Sequence, residues 1–163
     1  MYEEFARPLK ILIADDSNSD RLLLRAIIQN QGHTPLMAAD GMEAIAIFNK
    51  EKPDIILLDA MMPRLDGFET ARYIKSSSGE HFIPIIFLTS LNEADSLARC
   101  LEAGGDDFLT KPYNNIILKA KINAFRRMLK MHVTLQQQRD EIAEHNQRLV
   151  REQEVAKLTF DKV

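Results

Sequence analysis

A change of hydrophobic rhythm, repeated along residues 9–130, constrains this chain more than any other feature. Continuous apolar runs occur at Leu9-Lys10-Ile11-Leu12-Ile13-Ala14, Ile55-Ile56-Leu57-Leu58 and Ile83-Pro84-Ile85-Ile86-Phe87-Leu88. Thr34-Pro35-Leu36-Met37-Ala38 is a weaker run, and Asp107-Phe108-Leu109-Thr110 a marginal one. The strong runs do not alternate apolar with polar, which is the pattern of strands buried on both faces of a parallel sheet. Between the runs the period becomes helical. Leu23, Leu24, Ile27 and Ile28 share one helix face, as do Met42, Ile45 and Phe48. Ala94, Leu97, Ala98 and Leu101 fit the i, i+3, i+4, i+7 template, and Leu118, Ile122, Phe125 and Leu129 form a similar stripe. Gly104-Gly105 supplies the left-handed residues that end a helix.

A β-α unit repeated five times implies a parallel sheet with right-handed crossovers and helices on both faces. Five units in about 120 residues suit a flavodoxin-like, doubly wound α/β fold: a five-stranded parallel sheet of order 2-1-3-4-5. The ligand site of such a sheet lies at the carboxyl ends of the strands. Composition agrees. The 163 residues are 45% hydrophobic and 28% charged, which suits one soluble domain plus an appendage. Six Gly and six Pro exclude a collagen-like or disordered chain. The net charge of −3 argues against general nucleic-acid binding through phosphate contacts. One cysteine, Cys100, excludes an intramolecular disulfide framework. The start, Met1-Tyr2-Glu3-Glu4-Phe5, lacks the apolar run of a signal peptide. The longest apolar stretches, about six residues, fall far short of the roughly 20 that span a bilayer. The expectation is a cytoplasmic protein without membrane or direct nucleic-acid contact.

Chemistry concentrates at the expected strand ends. The first strand ends in Asp15-Asp16 and the third in Asp59; the fourth ends in Thr89-Ser90, and Lys111-Pro112 follows the fifth. In the order 2-1-3-4-5 these groups converge on one edge. Two carboxylates about 4 Å apart repel by roughly 4 kcal/mol at an effective dielectric near 20. Three together therefore call for a compensating cation or raised pKa values. Oxygen-only ligands favour a hard ion, with Mg²⁺ the natural candidate. Lys111 adds a fixed positive charge and Thr89 a hydroxyl donor. Metal, ammonium and hydroxyl around one carboxylate make a place that can receive a phosphoryl group.

These residues resemble the receiver domain of two-component response regulators. The resemblance covers residues 8–130 and rests on Asp15-Asp16, Asp59-Ala60-Met61-Met62-Pro63-Arg64-Leu65-Asp66-Gly67, Thr89-Ser90 and Lys111-Pro112. It implies that Asp59 accepts a phosphoryl group from the phosphohistidine of a histidine kinase or phosphotransfer protein. Asp16 would ligate Mg²⁺ directly, Asp15 mainly through water, and the backbone carbonyl of Met61 would complete the protein ligands. Lys111 would pair with the phosphoryl oxygens, Thr89 would swing to hydrogen-bond one of them, and small Ser90 would leave the site accessible. Phe108, three residues before the lysine, falls at the family's aromatic switch; it can also be read as plain core. Lys111-Pro112 would carry a cis peptide, which is cheap at about 0.5–1 kcal/mol for an X-Pro bond. Met61 and Leu91 occupy two positions that influence dephosphorylation, and both being apolar implies slow self-hydrolysis.

From Asn114 to Val163 no Pro or Gly interrupts the chain. Met128, Leu135, Ile142, Leu149 and Ala156 recur every seven residues. With these as d positions, the a positions are Phe125, His132, Arg139, Asn146, Gln153 and Phe160. A seam so polar at a describes a marginal coiled coil, and Asn146 favours a parallel pair. Residues 131–163 are thus expected to be a helical linker of roughly 45 Å, forming a homodimer and leading toward an output domain. Residues 151–160 resemble the entry to a PP2C-like phosphatase output and, nearly as well, the entry to a diguanylate cyclase. His33, His81, His132 and His145 show no metal-ligand spacing and read as solvated or packing residues. Arg126-Arg127 with Lys130 reads as a cluster near a helix end, placed to suit the macrodipole. The chain itself is not expected to be a turnover enzyme. Two other readings remain: a phosphorylation-independent adaptor that dimerises through its tail, and a phosphatase-like hydrolase using Asp59 as nucleophile. The latter lacks a general acid two residues on, where Met61 stands.

Overall fold

The computed structural model describes residues 7–90 and 94–161, with side chains through residue 159. The acidic start at residues 1–5, Leu91 and the side chain of Phe160 lie outside the described residues. The elements run β1 (Lys10–Ala14), α1 (Asn18–Asn30), β2 (Thr34–Ala38), α2 (Gly41–Glu51), β3 (Ile55–Asp59), α3 (Gly67–Ser77), β4 (Ile85–Thr89), α4 (Ala94–Glu102), β5 (Asp107–Thr110) and α5 (Asn115–Asp161). The sheet is parallel throughout, in the order β2-β1-β3-β4-β5. The flavodoxin-like expectation is met.

Burial explains the strand compositions. Residues Ile11–Ala14, Ile55–Leu58 and Ile85–Leu88 are all fully buried, because helices cover both faces of β1, β3 and β4. β2 lies at an edge and is only partly covered, so it tolerates Pro35, which cannot donate to a ladder. Pro84 likewise precedes β4 rather than entering it, although its carbonyl accepts the Ile56 N–H at 2.9 Å.

Helix starts follow side-chain caps. Ser17, Asp40 and Asp66 accept the N–H groups of Asp20, Glu43 and Glu69 at the heads of α1, α2 and α3. Asn114 Oδ1 does the same for Ile116 and Ile117. Gly104 is left-handed at φ 107°, but Gly105 is not. Gly105 is needed for space instead, since a Cβ there would sit 2.5 Å from the Phe87 ring.

Three of the helical faces differ from the periodic reading. In α4 the inward positions are half-buried Leu97 and buried Cys100, while Ala94, Ala98 and Leu101 are exposed. Small Ala residues weigh little in deciding which face turns inward, so counting apolar positions chose the wrong stripe. Leu23 and Met42 also face outward, whereas Leu24, Ile27, Ile28 and Phe48 are buried. On α5, Leu118, Ile122 and Phe125 are buried as expected.

The chain divides into two compact units, one ending at Arg126 and the other beginning at Arg127. α5 continues past the boundary to Asp161, so Arg126, Arg127 and Lys130 stand in mid-helix and the macrodipole account of them fails. Arg126 instead donates to the Arg7 carbonyl at 2.7 Å. In the second unit Met128, Leu135, Ile142 and Leu149 are all exposed. Among the described residues no helix is long and apolar enough to cross a membrane.

Candidate phosphoryl-acceptor site

The site begins where the sheet stops. The ladder continues one residue beyond three strand ends: Asp15 N–H reaches the Ala38 carbonyl at 3.2 Å, Ala60 N–H the Leu88 carbonyl at 3.2 Å, and Lys111 N–H the Thr89 carbonyl at 2.9 Å. The loops that carry the chemistry therefore leave the sheet in register. Gly67 keeps one of them tight. A Cβ there would collide with the Asp59 carbonyl and lie 2.8 Å from the Ala60 Cα, so only glycine lets α3 start against the end of β3.

Asp15, Asp16 and Asp59 come together as the sequence predicts. Each offers a carboxylate oxygen, and those oxygens lie within 4.8 Å of one another. Asp15 is fully buried, Asp59 nearly so, and Asp16 is exposed. Asp15 is the best fixed. Its Oδ1 accepts the Ser17 N–H at 2.9 Å, its Oδ2 accepts the Tyr113 hydroxyl at 3.3 Å, and Arg21 donates to its carbonyl at 2.6 Å. Asp59 Oδ1 accepts the Met61 N–H at 3.1 Å.

Lys111 stands among the acids. Its Nζ lies 3.5 Å from Asp59 Oδ2, 3.5 Å from Asp15 Oδ2 and 3.2 Å from Asp20 Oδ2. Lys111-Pro112 is cis, as the resemblance implies. Burial pushes the Asp59 carboxyl up to about 7; the Met61 N–H opposes the rise, the Asp15 charge adds to it, and Lys111 offsets part of it. For Lys111, burial works against the charged form, but Asp59, Asp20 and Asp15 outweigh it and hold the ammonium above its ordinary range. Burial and then the charges of Asp15, Asp20 and Asp59 raise the Tyr113 phenol well above its usual value, keeping it a neutral donor. A carboxyl raised this far beside a second buried carboxylate marks a place where a divalent cation relieves repulsion. Three oxygen donors of this kind fit Mg²⁺.

Thr89 is buried at the end of β4, and Ser90 beyond it is exposed. Phe108 is half-buried on β5, packed against the core cluster, with the Lys121 ammonium 5.9 Å from its ring centre. Met61 is mostly exposed, and its main-chain N–H donates to Asp59. Among the histidines, His33 is buried and its Nδ1 accepts the Leu9 N–H at 3.1 Å, a packing role. Two members of the site escaped the sequence reading. Asp20 and Tyr113 stand only four residues after Asp16 and two after Lys111, and that closeness to marked residues was the available signal.

The comparisons with known proteins point the same way. The family described as response regulator receiver domain matches residues 11–123. The chain is 38% identical over 125 residues to a probable transcriptional regulator, ycf27, of Galdieria sulphuraria, covering 77% of this chain and 48% of that protein. It is 37% identical over 123 residues to the response regulator MprA of Mycobacterium ulcerans, covering 76% of this chain and 52% of that one. The chain thus spans about half the length of the curated relatives it matches. Among solved structures, the chemotaxis response regulator CheY4 of Vibrio cholerae superposes with a TM-score of 0.68 at 31% identity, covering 72% of this chain and 98% of that one.

Proposed function

Because this chain belongs to the response regulator receiver domain family, we propose that Asp59 is its phospho-acceptor, taking a phosphoryl group from the phosphohistidine of a histidine kinase or phosphotransfer protein. The observation that carries this reading is the Lys111 ammonium bridging Asp59 and Asp15 beside three converging carboxylates. An ionised Asp59 oxygen attacks phosphorus, the P–N bond breaks, and its electron pair leaves with the imidazole nitrogen, which takes up a proton. Asp16 and Asp59, with Asp15 and the Met61 carbonyl, are the residues that would hold Mg²⁺. Bound there, the ion supplies charge neutralisation for the phosphoryl oxygens. Both Asp15 oxygens already have protein donors, which supports a water-mediated role for it.

After transfer, the phosphoryl group adds about −1.5 to −2 charges. Lys111 compensates part of that, Thr89 turns its hydroxyl toward the new oxygens, and Phe108 follows by moving further into the core. Phe108 sits half-buried against the core cluster, between interior and solvent. Apolar Met61 offers no acid or base to an attacking water, which supports slow self-hydrolysis.

The altered state passes to an output through α5. The exposed heptad stripe Met128, Leu135, Ile142 and Leu149 supports pairing with a second copy. A PP2C-like phosphatase and a diguanylate cyclase remain candidate outputs; the relatives named as transcriptional regulators add gene control. Any nucleic-acid contact of that kind would belong to the half of such relatives that this chain does not match.

Incubation with Mg²⁺ and acetyl phosphate tests the assignment. Intact mass should rise by one phosphoryl group in the wild type and stay unchanged in Asp59→Asn. Equal labelling of both proteins, or of neither, contradicts it.

A further inference from the structure

Asp20 is the acid nearest the Lys111 ammonium, at 3.2 Å against 3.5 Å for Asp59 and 3.5 Å for Asp15. It is not one of the three carboxylates that could hold a cation together. Its place is nonetheless fixed by the same turn. Asp15 Oδ1 holds the Ser17 N–H at 2.9 Å, and the Ser17 hydroxyl caps α1 by accepting the Asp20 N–H at 3.4 Å. A single turn therefore sets both the buried acid and a second carboxylate that pairs with the same lysine. The side chains of Asp20 and Lys111 are 31% and 26% exposed, so water screens their attraction only in part.

We propose that Asp20 is a positioning residue that shares the Lys111 ammonium with Asp59 and Asp15 before phosphorylation, and by competing for it slows phosphoryl uptake. This rests on Asp59 being the acceptor. An incoming phosphoryl group competes with Asp20 for one ammonium, so some of that ion pair must be given up as the group arrives. The same negative charge acts the other way on a cation, since it adds to the field that attracts Mg²⁺. Removing it should make phosphorylation faster and Mg²⁺ binding weaker, an opposition that loosened packing does not produce.

The test uses the full chain with acetyl phosphate and Mg²⁺. Initial uptake at saturating Mg²⁺ is followed by intact mass, and Mg²⁺ affinity by calorimetry. Asp20→Asn is expected to speed uptake by about three- to tenfold and to weaken Mg²⁺ binding by about two- to threefold, the scale of one partly screened charge. Asp20→Glu should restore wild-type behaviour in both. In a Lys111→Gln background, Asp20→Asn should lose most of its effect on uptake. Unchanged or slower uptake in Asp20→Asn overturns the proposal, as does a full effect that persists without Lys111. Labelling of Asp59→Asn would instead overturn the acceptor assignment beneath it, whatever Asp20 does.

Discussion

The unit ending at Arg126 and the unit beginning at Arg127 are built from similar residues under opposite conditions. In the first, Leu118, Ile122 and Phe125 lie buried in α5 and the sheet residues on both sides of Asp59 are sealed. In the second, Met128, Leu135, Ile142 and Leu149 recur with equal regularity, yet 44–62% of each remains exposed. Apolar periodicity thus identifies a helix in both, but only the first unit's stripe is buried, while the seven-residue stripe of the second stays exposed. The first unit's stability should be its own property, and the second's should depend on concentration and on what covers the stripe.

The sharpest way to break that contrast is a matched pair of truncations. Ile56→Ala, at a fully buried site in β3, should lower unfolding free energy by about 2–5 kcal/mol. Ile142→Ala should change it by no more than about 0.5 kcal/mol at low protein concentration and should weaken self-association instead. Urea melts and light scattering read the two effects. A large stability loss from Ile142→Ala at low concentration would erase the distinction.

The charged edge of the first unit gives the next largest effect. Asp59 binds its proton more tightly folded, at about 7, than at its ordinary 3.8, so this group's contribution to stability falls as pH rises through that window. Asp59→Asn should therefore stabilise the metal-free protein above pH 7, on the order of 1–3 kcal/mol by the linkage constant, and the gain should shrink toward pH 4. Mg²⁺ should raise the melting temperature of the wild type more than that of Asp59→Asn. A variant no more stable than wild type at pH 8 would count against the crowding of charge at this edge.

The smallest effect is at His33. Its neutral ring accepts the Leu9 N–H, burial lowers its pKa, Arg126 lowers it further, and Asp54 opposes. Folding prefers the neutral form, so this contribution is whole above pH 6.5 and is lost as pH falls below it. His33→Gln should flatten the pH dependence of the melting temperature below 6.5, by about 1 kcal/mol or less. An unchanged slope would remove His33 from the account.

What could be read from the chain follows the same division. Strand order and the convergence of Asp15, Asp16, Asp59 and Lys111 were legible because continuous apolar runs place charged residues at their ends. The inward face of α4 was not, because Ala94 and Ala98 are too small for their position in the helical period to reveal which way they point. Asp20 escaped for a different reason. A carboxylate in the first turn of a helix is explained by the macrodipole alone, and only the folded chain brings it to within 3.2 Å of Lys111. Tyr113 likewise reads as a loop aromatic until its hydroxyl meets Asp15.

The most direct test is chemical mapping of the phosphorylated residue. Borohydride reduces an aspartyl phosphate to homoserine, and peptide mass mapping after Mg²⁺-dependent phosphorylation should find that conversion at Asp59 and nowhere else. Homoserine at Asp15, Asp16 or Asp66, or at no aspartate of a protein that has gained the phosphoryl mass, would contradict the account.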